Sequence, residues 1–298
     1  MIEQLPRFVY IGGTDMISEA AAAYEPLLRL SAFVAVFALM ALWEVAAPRR
    51  KREFSRQWRW PQNIALLVID IAFIRVMAPG AAIAVAMAGE VNGWGLLNVV
   101  QPPTWLGIPL AVAFLDLAIY FQHVAFHAVP TLWRLHRVHH TDLDFDVTTG
   151  TRFHPVEILI STGLKCAAVA AIGAPVVAVL AFELLLNASS MFNHGNVRMS
   201  GGLDRWLRWI VVTPDMHRVH HSIVFNETSS NFGFTMPWWD RLLGTYRAQP
   251  AGGHEGMTIG VDAFRSHADL RIDRLLIQPL LDNPGGYPIN RRDEPTQV

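Results

Sequence analysis

Residues 26–47 read PLLRLSAFVAVFALMALWEVAA. Twenty-two residues with a single Arg and a single Glu are long enough to cross a hydrocarbon layer of about 30 Å as one helix. The run is too long and lies too deep in the chain for a signal-peptide core, and no small-residue cleavage site follows it. Pro48 ends it, and RRKREFSRQWRWPQN comes next, with Arg49, Arg50, Lys51, Arg52, Arg56 and Arg59 in close succession. Cytoplasmic loops of membrane proteins collect Lys and Arg, so this loop is expected inside and the N-terminal segment, 1–25, outside.

The pattern continues outward from that span. Asn63–Ala88 reads as a second crossing with a kink at Pro79-Gly80, and the loop 89–104 after it contains no Lys or Arg. Trp105 to Phe126 returns to the inside. Two further apolar runs, 156–173 and 174–192, meet at Ala174-Pro175 and form a hairpin that either crosses twice or dips in and returns. The expected fold is therefore all-α integral membrane, with four to five transmembrane helices. Residues 26–194 hold the helices and 195–279 a cytoplasmic helical cap, leaving 280–298 as an irregular tail. In the cap Trp206, Trp209, Trp238 and Trp239 suit the headgroup level, where indole rings favour the interface. A bacterial chain of this kind would sit in the inner membrane.

Composition agrees. Of 298 residues 52% are hydrophobic and 16% charged, against about 25% charged in a soluble domain. Mean hydropathy is +0.28. A net charge of −1 offers no basic field for nucleic acid. The single cysteine, Cys166, excludes an internal disulfide, a zinc ribbon and an Fe–S cluster.

The histidines carry the chemistry. Ten of the twelve lie between His123 and His221. His123 and His127 are spaced i, i+4, at the inner end of the third span. His136, His139 and His140 form HRVHH, and His217, His220 and His221 form a second HRVHH. In a helix i, i+3 and i+4 share a face, so each triplet is expected to aim three imidazoles at one point. His154 and His194 bracket the apolar hairpin, whose two ends would bring them to the triplets. Neutral imidazole binds iron, zinc, copper or nickel. Eight to ten of them exceed the four ligands of one zinc and suit two metal ions. His254 and His267 fall outside the pattern and are assigned no role.

The motifs HVAFH, HRVHH, FHPVE, FNHGN, PDMHRVHH and WWDRLLGTY, in this order, resemble the fatty acid hydroxylase/sterol desaturase superfamily of membrane non-heme di-iron enzymes. The likeness runs from about Trp43, through the E-x-x-x-P-R-R turn at Glu44–Arg50, to Tyr246, and its spacing is similar to the alkylglycerol monooxygenase branch. It implies a di-iron site held by His123, His127, His136, His139, His140, His154, His194, His217, His220 and His221. It also implies O2 as co-substrate, a membrane lipid as substrate (fatty acyl, alkyl glycerol, sterol or related isoprenoid) and hydroxylation or desaturation of a C–H bond. Zinc is the alternative occupant on purification.

No dinucleotide or P-loop motif is present, so electrons would come from an external reductase or small carrier on the cytoplasmic face, or from a reduced pterin. Arg134, Arg137, Arg205, Arg208 and Arg218 either attract an acidic carrier there or simply follow the positive-inside bias. Glu157 and Asp240 are candidates to hydrogen-bond the outer nitrogen of a ligand imidazole, or else are helix-end or surface carboxylates. Asp142, Asp144 and Asp146 favour helix capping over contact with the site. Asn231 and Phe232 are candidate substrate-lining residues. Asp70 and Arg75 are expected to face protein or each other, and Glu183 needs a partner that the sequence does not name. Two other readings compete: a zinc-dependent membrane hydrolase and a haem-binding membrane electron carrier. Oligomeric state is not legible.

Overall fold

The computed structural model describes residues 14–281, so the expectations for 1–13 and for 282–298 lie outside the described residues. The described chain is helical, with two isolated β-bridges and no strand. Helices α1 (Thr14–Ala46), α2 (Arg56–Met77), α3 (Ala81–Asn92), α4 (Leu96–Val100) and α5 (Thr104–Ala128) come first. Next are α6 (Pro130–His140), α7 (Pro155–Ile172) and α8 (Val176–Asn193). Shorter helices complete the chain: α9 (Gly201–Leu207), α10 (Pro214–His220), α11 (Phe225–Thr228), α12 (Trp238–Leu242), α13 (Gly253–Gly256) and α14 (Ile272–Ile277).

Five segments are long and apolar enough to cross a membrane: Ala23–Ala46, Arg56–Val100, Thr104–Ala128, Pro155–Ile172 and Val176–Asn193. Leu27, Leu30, Leu39, Leu42 and Val45 on α1 are each more than half exposed. Apolar surface of that extent is stable only against lipid, which makes this an integral membrane protein. The second crossing starts earlier than 63 and breaks at Ala78–Gly80, where Gly80 adopts φ +60°. α2 alone, at 22 residues, spans about 33 Å.

The apolar core joins α3, α5, α7 and α8 through residues such as Ile83, Leu115, Val169, Val179 and Phe182. α1 packs along α8, and α2 along α7. α7 and α8 connect through Gly173 at φ +69°, as expected, with α5 packed against both. The turn is closed by Gly95, where a Cβ would fall 2.2 Å from the Gly173 nitrogen, so no larger residue fits without moving backbone.

Charges in the spans find partners by tertiary contact. Glu183 on α8 is bound by Arg29 from α1 and Lys165 from α7. Asp70 is buried against protein, one of the two expected outcomes, while Arg75 is exposed and does not pair with it. Glu44 accepts from the backbone nitrogens of Val147 (2.7 Å) and Asn196 (2.9 Å) and pairs with Arg56 (2.5 Å). The E-x-x-x-P-R-R turn thus ties the end of α1 to the segments that follow α6 and α8.

Candidate metal centre

Nine histidines converge beyond the ends of these helices. His123 and His127 come from the last turns of α5, and His136, His139 and His140 from α6. His194 is the C-cap of α8, and His217, His220 and His221 come from α10 and its C-cap. Pro130 and Pro214 open α6 and α10 at the first helical position, where a missing N–H costs nothing.

The imidazoles form two groups. His123, His127, His136, His140 and His220 make one, and His139, His194, His217 and His221 the other, with the ligand nitrogens of each within 4.8 Å of one another. Each HRVHH triplet is therefore divided, against the expectation that it aims at a single point. Helical geometry accounts for this: i and i+4 differ by about 40° around the axis, but i+3 and i+4 by about 100°. His136 and His140 point one way and His139 the other; His217 and His221 pair off from His220 in the same manner. The groups touch where the rings of His140 and His221 stack at 4.5 Å.

The tautomers show what the groups are built for. His139 Nδ1 donates to the Arg152 carbonyl (3.1 Å) and His194 Nδ1 to the Ser190 carbonyl (2.7 Å). A carbonyl only accepts, so both protons are on Nδ1 and both Nε2 atoms carry lone pairs. Those Nε2 atoms lie 3.1 Å apart. In the other group His123 Nδ1 donates to the Phe232 carbonyl (2.7 Å) and His136 Nδ1 to Glu157 Oε1 (2.6 Å), and their Nε2 atoms are also 3.1 Å apart. Facing lone pairs repel, and a cation between them turns the repulsion into binding. Metal–nitrogen bonds of about 2.1 Å place right-angled neighbours about 3.0 Å apart and tetrahedral ones about 3.4 Å. The observed 3.1 Å separations sit closer to the former, and the 3.2 Å one lies midway. Five converging nitrogens also exceed the four of a structural zinc.

All nine rings are at most 3% exposed. Burial, then mutual repulsion among the imidazoles, holds His139, His140, His217 and His221 well below their ordinary 6.5. Burial pushes His194 and His220 down to about 3. Neutral rings are what a metal requires.

His154 does not join either group. It N-caps α7, accepting from the Val156 nitrogen (3.2 Å), while its Nε2 donates to the Leu276 carbonyl (3.2 Å). The hairpin therefore delivers one end, His194, to the centre and not the other. Asp240 does not touch an imidazole. It accepts from the nitrogens of Phe232 (2.8 Å) and Gly233 (2.9 Å) and from Thr245 Oγ1 (2.7 Å), and so positions the carbonyl that holds His123. Asn231, at φ +53°, is a staple: its side chain binds the Met216 and Arg247 carbonyls and the Arg247 nitrogen. Phe232 does border the site, its ring 5.2–5.5 Å from His127, His220 and His123.

The three aspartates after the first HRVHH are not helix caps. Arg59 Nε and Nη2 bind Asp142 (2.9 and 2.7 Å), and its Nη1 binds Asp146 (2.7 Å). Burial alone would raise the Asp142 carboxyl, but Arg59 and Arg152 hold it at about 2. Asp144 accepts from the nitrogens of Glu53 and Phe54. Arg59 reads in the sequence as one more loop cation, and nothing local marks it as 1% exposed. Among the arginines considered for docking, Arg137 binds the Gln278 and Leu281 carbonyls, Arg208 pairs with Asp204, and Arg218 with Asp215. Arg205 is exposed. The sequence reading also missed Phe153, stacked on His139 at 4.6 Å, and Phe234, 5.3 Å from His123 and 6.0 Å from His217. Phe153 opens the FHPVE motif, but nothing in that motif marks its ring as lying on His139, and Phe234 carries no signal of its own.

Fold and site together define a helical integral membrane protein with two adjoining polyhistidine groups able to hold metal ions. Residues 108–245 match the model of the fatty acid hydroxylase family, the same superfamily that the histidine motifs resemble. The chain is 28% identical over 232 residues to ornithine lipid hydroxylase OlsE of Rhizobium tropici, covering 73% of this chain and 66% of that protein. It is 26% identical over 190 residues to alkylglycerol monooxygenase of Xenopus tropicalis, covering 60% and 40%. Over 219 residues it is 28% identical to very-long-chain aldehyde decarbonylase GL1-1 of Oryza sativa subsp. indica, covering 70% and 33%. The chain thus spans from a third to about two thirds of these relatives. No solved structure matches it.

Proposed function

We propose that the chain is an O2-dependent lipid hydroxylase or desaturase, an oxidoreductase acting on a C–H bond of a membrane lipid with electrons from an external donor. The carrying observation is the pair of buried imidazole groups with lone pairs facing at 3.1 Å, set at the ends of lipid-facing helices. His123, His127, His136, His140 and His220 would hold one metal, and His139, His194, His217 and His221 the other. The named relatives support a lipid substrate, and the histidine-rich donor set with five nitrogens in one group favours iron over zinc. Two bound iron ions would supply the electrons and open positions that O2 activation needs.

The chain's own residues do the rest. The Arg152, Ser190, Phe232 and Ser230 carbonyls and Glu157 fix ring orientation by accepting from Nδ1. Phe126, Trp133, Phe145 and Phe232, each at most 3% exposed, keep water from the imidazoles. Arg59, by neutralising Asp142 and Asp146, holds the segment after α6 in place behind them.

A zinc hydrolase would normally add carboxylate ligands, and neither group contains one. Haem needs a planar slot between two rings, which imidazole nitrogens 3.1 Å apart do not leave. The cationic loop after α1 supports an orientation with N outside and C cytoplasmic, carried by Lys51 and Arg52, since Arg56 and Arg59 are consumed by Glu44, Asp142 and Asp146. A reductase, small carrier or reduced pterin would then approach from the cytoplasm.

The test is lipid analysis under 18-O2 of cells expressing wild type, His139→Ala or His220→Ala, with metal analysis of the purified proteins. A lipid that gains one labelled oxygen only with wild type marks a hydroxylase; loss of two hydrogens without label marks a desaturase. Full activity in either variant would sink the two-metal reading.

A further inference from the structure

All nine imidazoles are buried, so an apolar chain can reach them only where some wall residue gives way. Of the aromatic rings around the groups, Phe126, Trp133, Phe145 and Phe232 are fully buried, while Phe153 and Phe234 are half-buried. Phe153 precedes His154, whose ring is tied to the Leu276 carbonyl of α14, so Phe153 lies toward the C-terminal segment. Phe234 borders the imidazoles from another segment. It packs against the core shared by α3, α5, α7 and α8, and its ring touches one histidine of each group, His123 and His217.

The segment that carries Phe234 runs down α5 toward the middle of the span. The Phe232 carbonyl meets His123, Tyr120 OH meets Thr245 Oγ1 (2.8 Å), and Asp116 Oδ2 meets the Met236 nitrogen (3.2 Å) and Trp239 Nε1 (2.8 Å). From His123 to Asp116 is seven residues, about 10 Å along the helix. Apolar side chains are exposed beside this segment: α12 turns out Trp238 and Leu242, and Met236 and Trp239 are half-buried.

We propose that the substrate chain enters from the bilayer through the seam between α5 and residues 233–239, and that Phe234 is the specificity-determining residue that closes this seam and sets which carbon reaches the metals. The inference rests on the lipid-oxidation reading above. The Phe234 backbone is pinned, its carbonyl by Asn193 Nδ2 (2.9 Å) and the neighbouring Gly233 and Met236 nitrogens by Asp240 and Asp116. With the backbone held, rotation of the ring about χ1 is the motion that would open the seam. Met236, also half-buried against the same core, lines the outer part of the seam with a side chain that adapts to a passing alkyl chain.

The experiment compares wild type with Phe234→Ala, Phe234→Leu and Phe234→Trp in cells grown under 18-O2, locating the label by tandem mass spectrometry and measuring metal in each purified protein. Metal content stays at the wild-type level in all three. Phe234→Ala spreads or moves the labelled position along the chain, and Phe234→Leu keeps most of the wild-type position. Phe234→Trp lowers labelled lipid on the order of tenfold. Wild-type position and yield in both the Ala and Trp variants, or loss of metal with either, overturns the proposal while leaving the function intact. Absence of oxidised lipid from wild type overturns the function and this inference together.

Discussion

Glu157 Oε1 on the first turn of α7 lies 2.6 Å from Nδ1 of His136 on α6, a carboxylate buried against a ring that faces the metal groups with its other nitrogen. The contact fixes the His136 tautomer and makes Nε2 a better donor. Glu157→Ala is expected to weaken metal binding in the five-histidine group by about 10- to 100-fold. Glu157→Gln, which keeps an acceptor oxygen, is expected to lose less. Competition of each variant against a chelator of known affinity measures the order; equal affinity in wild type and Glu157→Ala contradicts it.

Arg59 binds two buried carboxylates, and neither Asp142 nor Asp146 has solvent to fall back on. Arg59→Met leaves Asp146 without its cationic partner and Asp142 with the more distant Arg152 alone, and is expected to destabilise the protein by about 3–5 kcal/mol. Thermal unfolding in detergent reports the loss. Arg59→Met, Asp142→Asn and Asp146→Asn combined removes the stranded charge and recovers part of it; no recovery assigns the damage to lost packing instead.

The buried imidazoles make the protein acid-labile. For His139, His140, His194, His217, His220 and His221 the folded-state pKa lies below the unfolded 6.5, at about 3 for His194 and His220. Above 6.5 both states are neutral and the full stability is present. Between 6.5 and about 3 the unfolded chain takes up protons that the folded one refuses, so stability falls as pH falls. Metal is released over the same range, since protonated imidazole cannot ligate. Melting temperature and metal content unchanged from about pH 8 to about pH 4 would contradict this.

His154 stands outside both groups, with its ring nitrogens committed to Val156 and Leu276. His154→Ala is expected to keep the wild-type metal-to-protein ratio, whereas His139→Ala and His220→Ala each lower it. Metal analysis of the three purified variants decides; a drop in His154→Ala equal to that in His220→Ala would place His154 among the ligands.

The helices were legible because the membrane imposes a local rule. A span must be long, apolar and helical to satisfy its own backbone, and each of those properties is written in consecutive residues. The histidines of the site were legible for a similar reason, since i, i+3 and i+4 spacing states which side chains lie near one another on a single helix. Arg59, Phe153 and Phe234 carry no such signature. Each owes its position to packing between segments distant in sequence, and Arg59 looks in isolation like any other cation of its loop.

By itself the sequence determined that the protein is a helical membrane protein, and it gathered His123, His127, His136, His139, His140, His194, His217, His220 and His221 together with His154, which the structure leaves outside. Only the tertiary structure decided how they divide. His139 leaves His136 and His140 to meet His194, and His220 leaves His217 and His221 to meet His123 and His127. A helix sets the angle between its side chains, but the direction each one faces depends on where the other helices stand. That is a property of the packed molecule and of no stretch of chain within it.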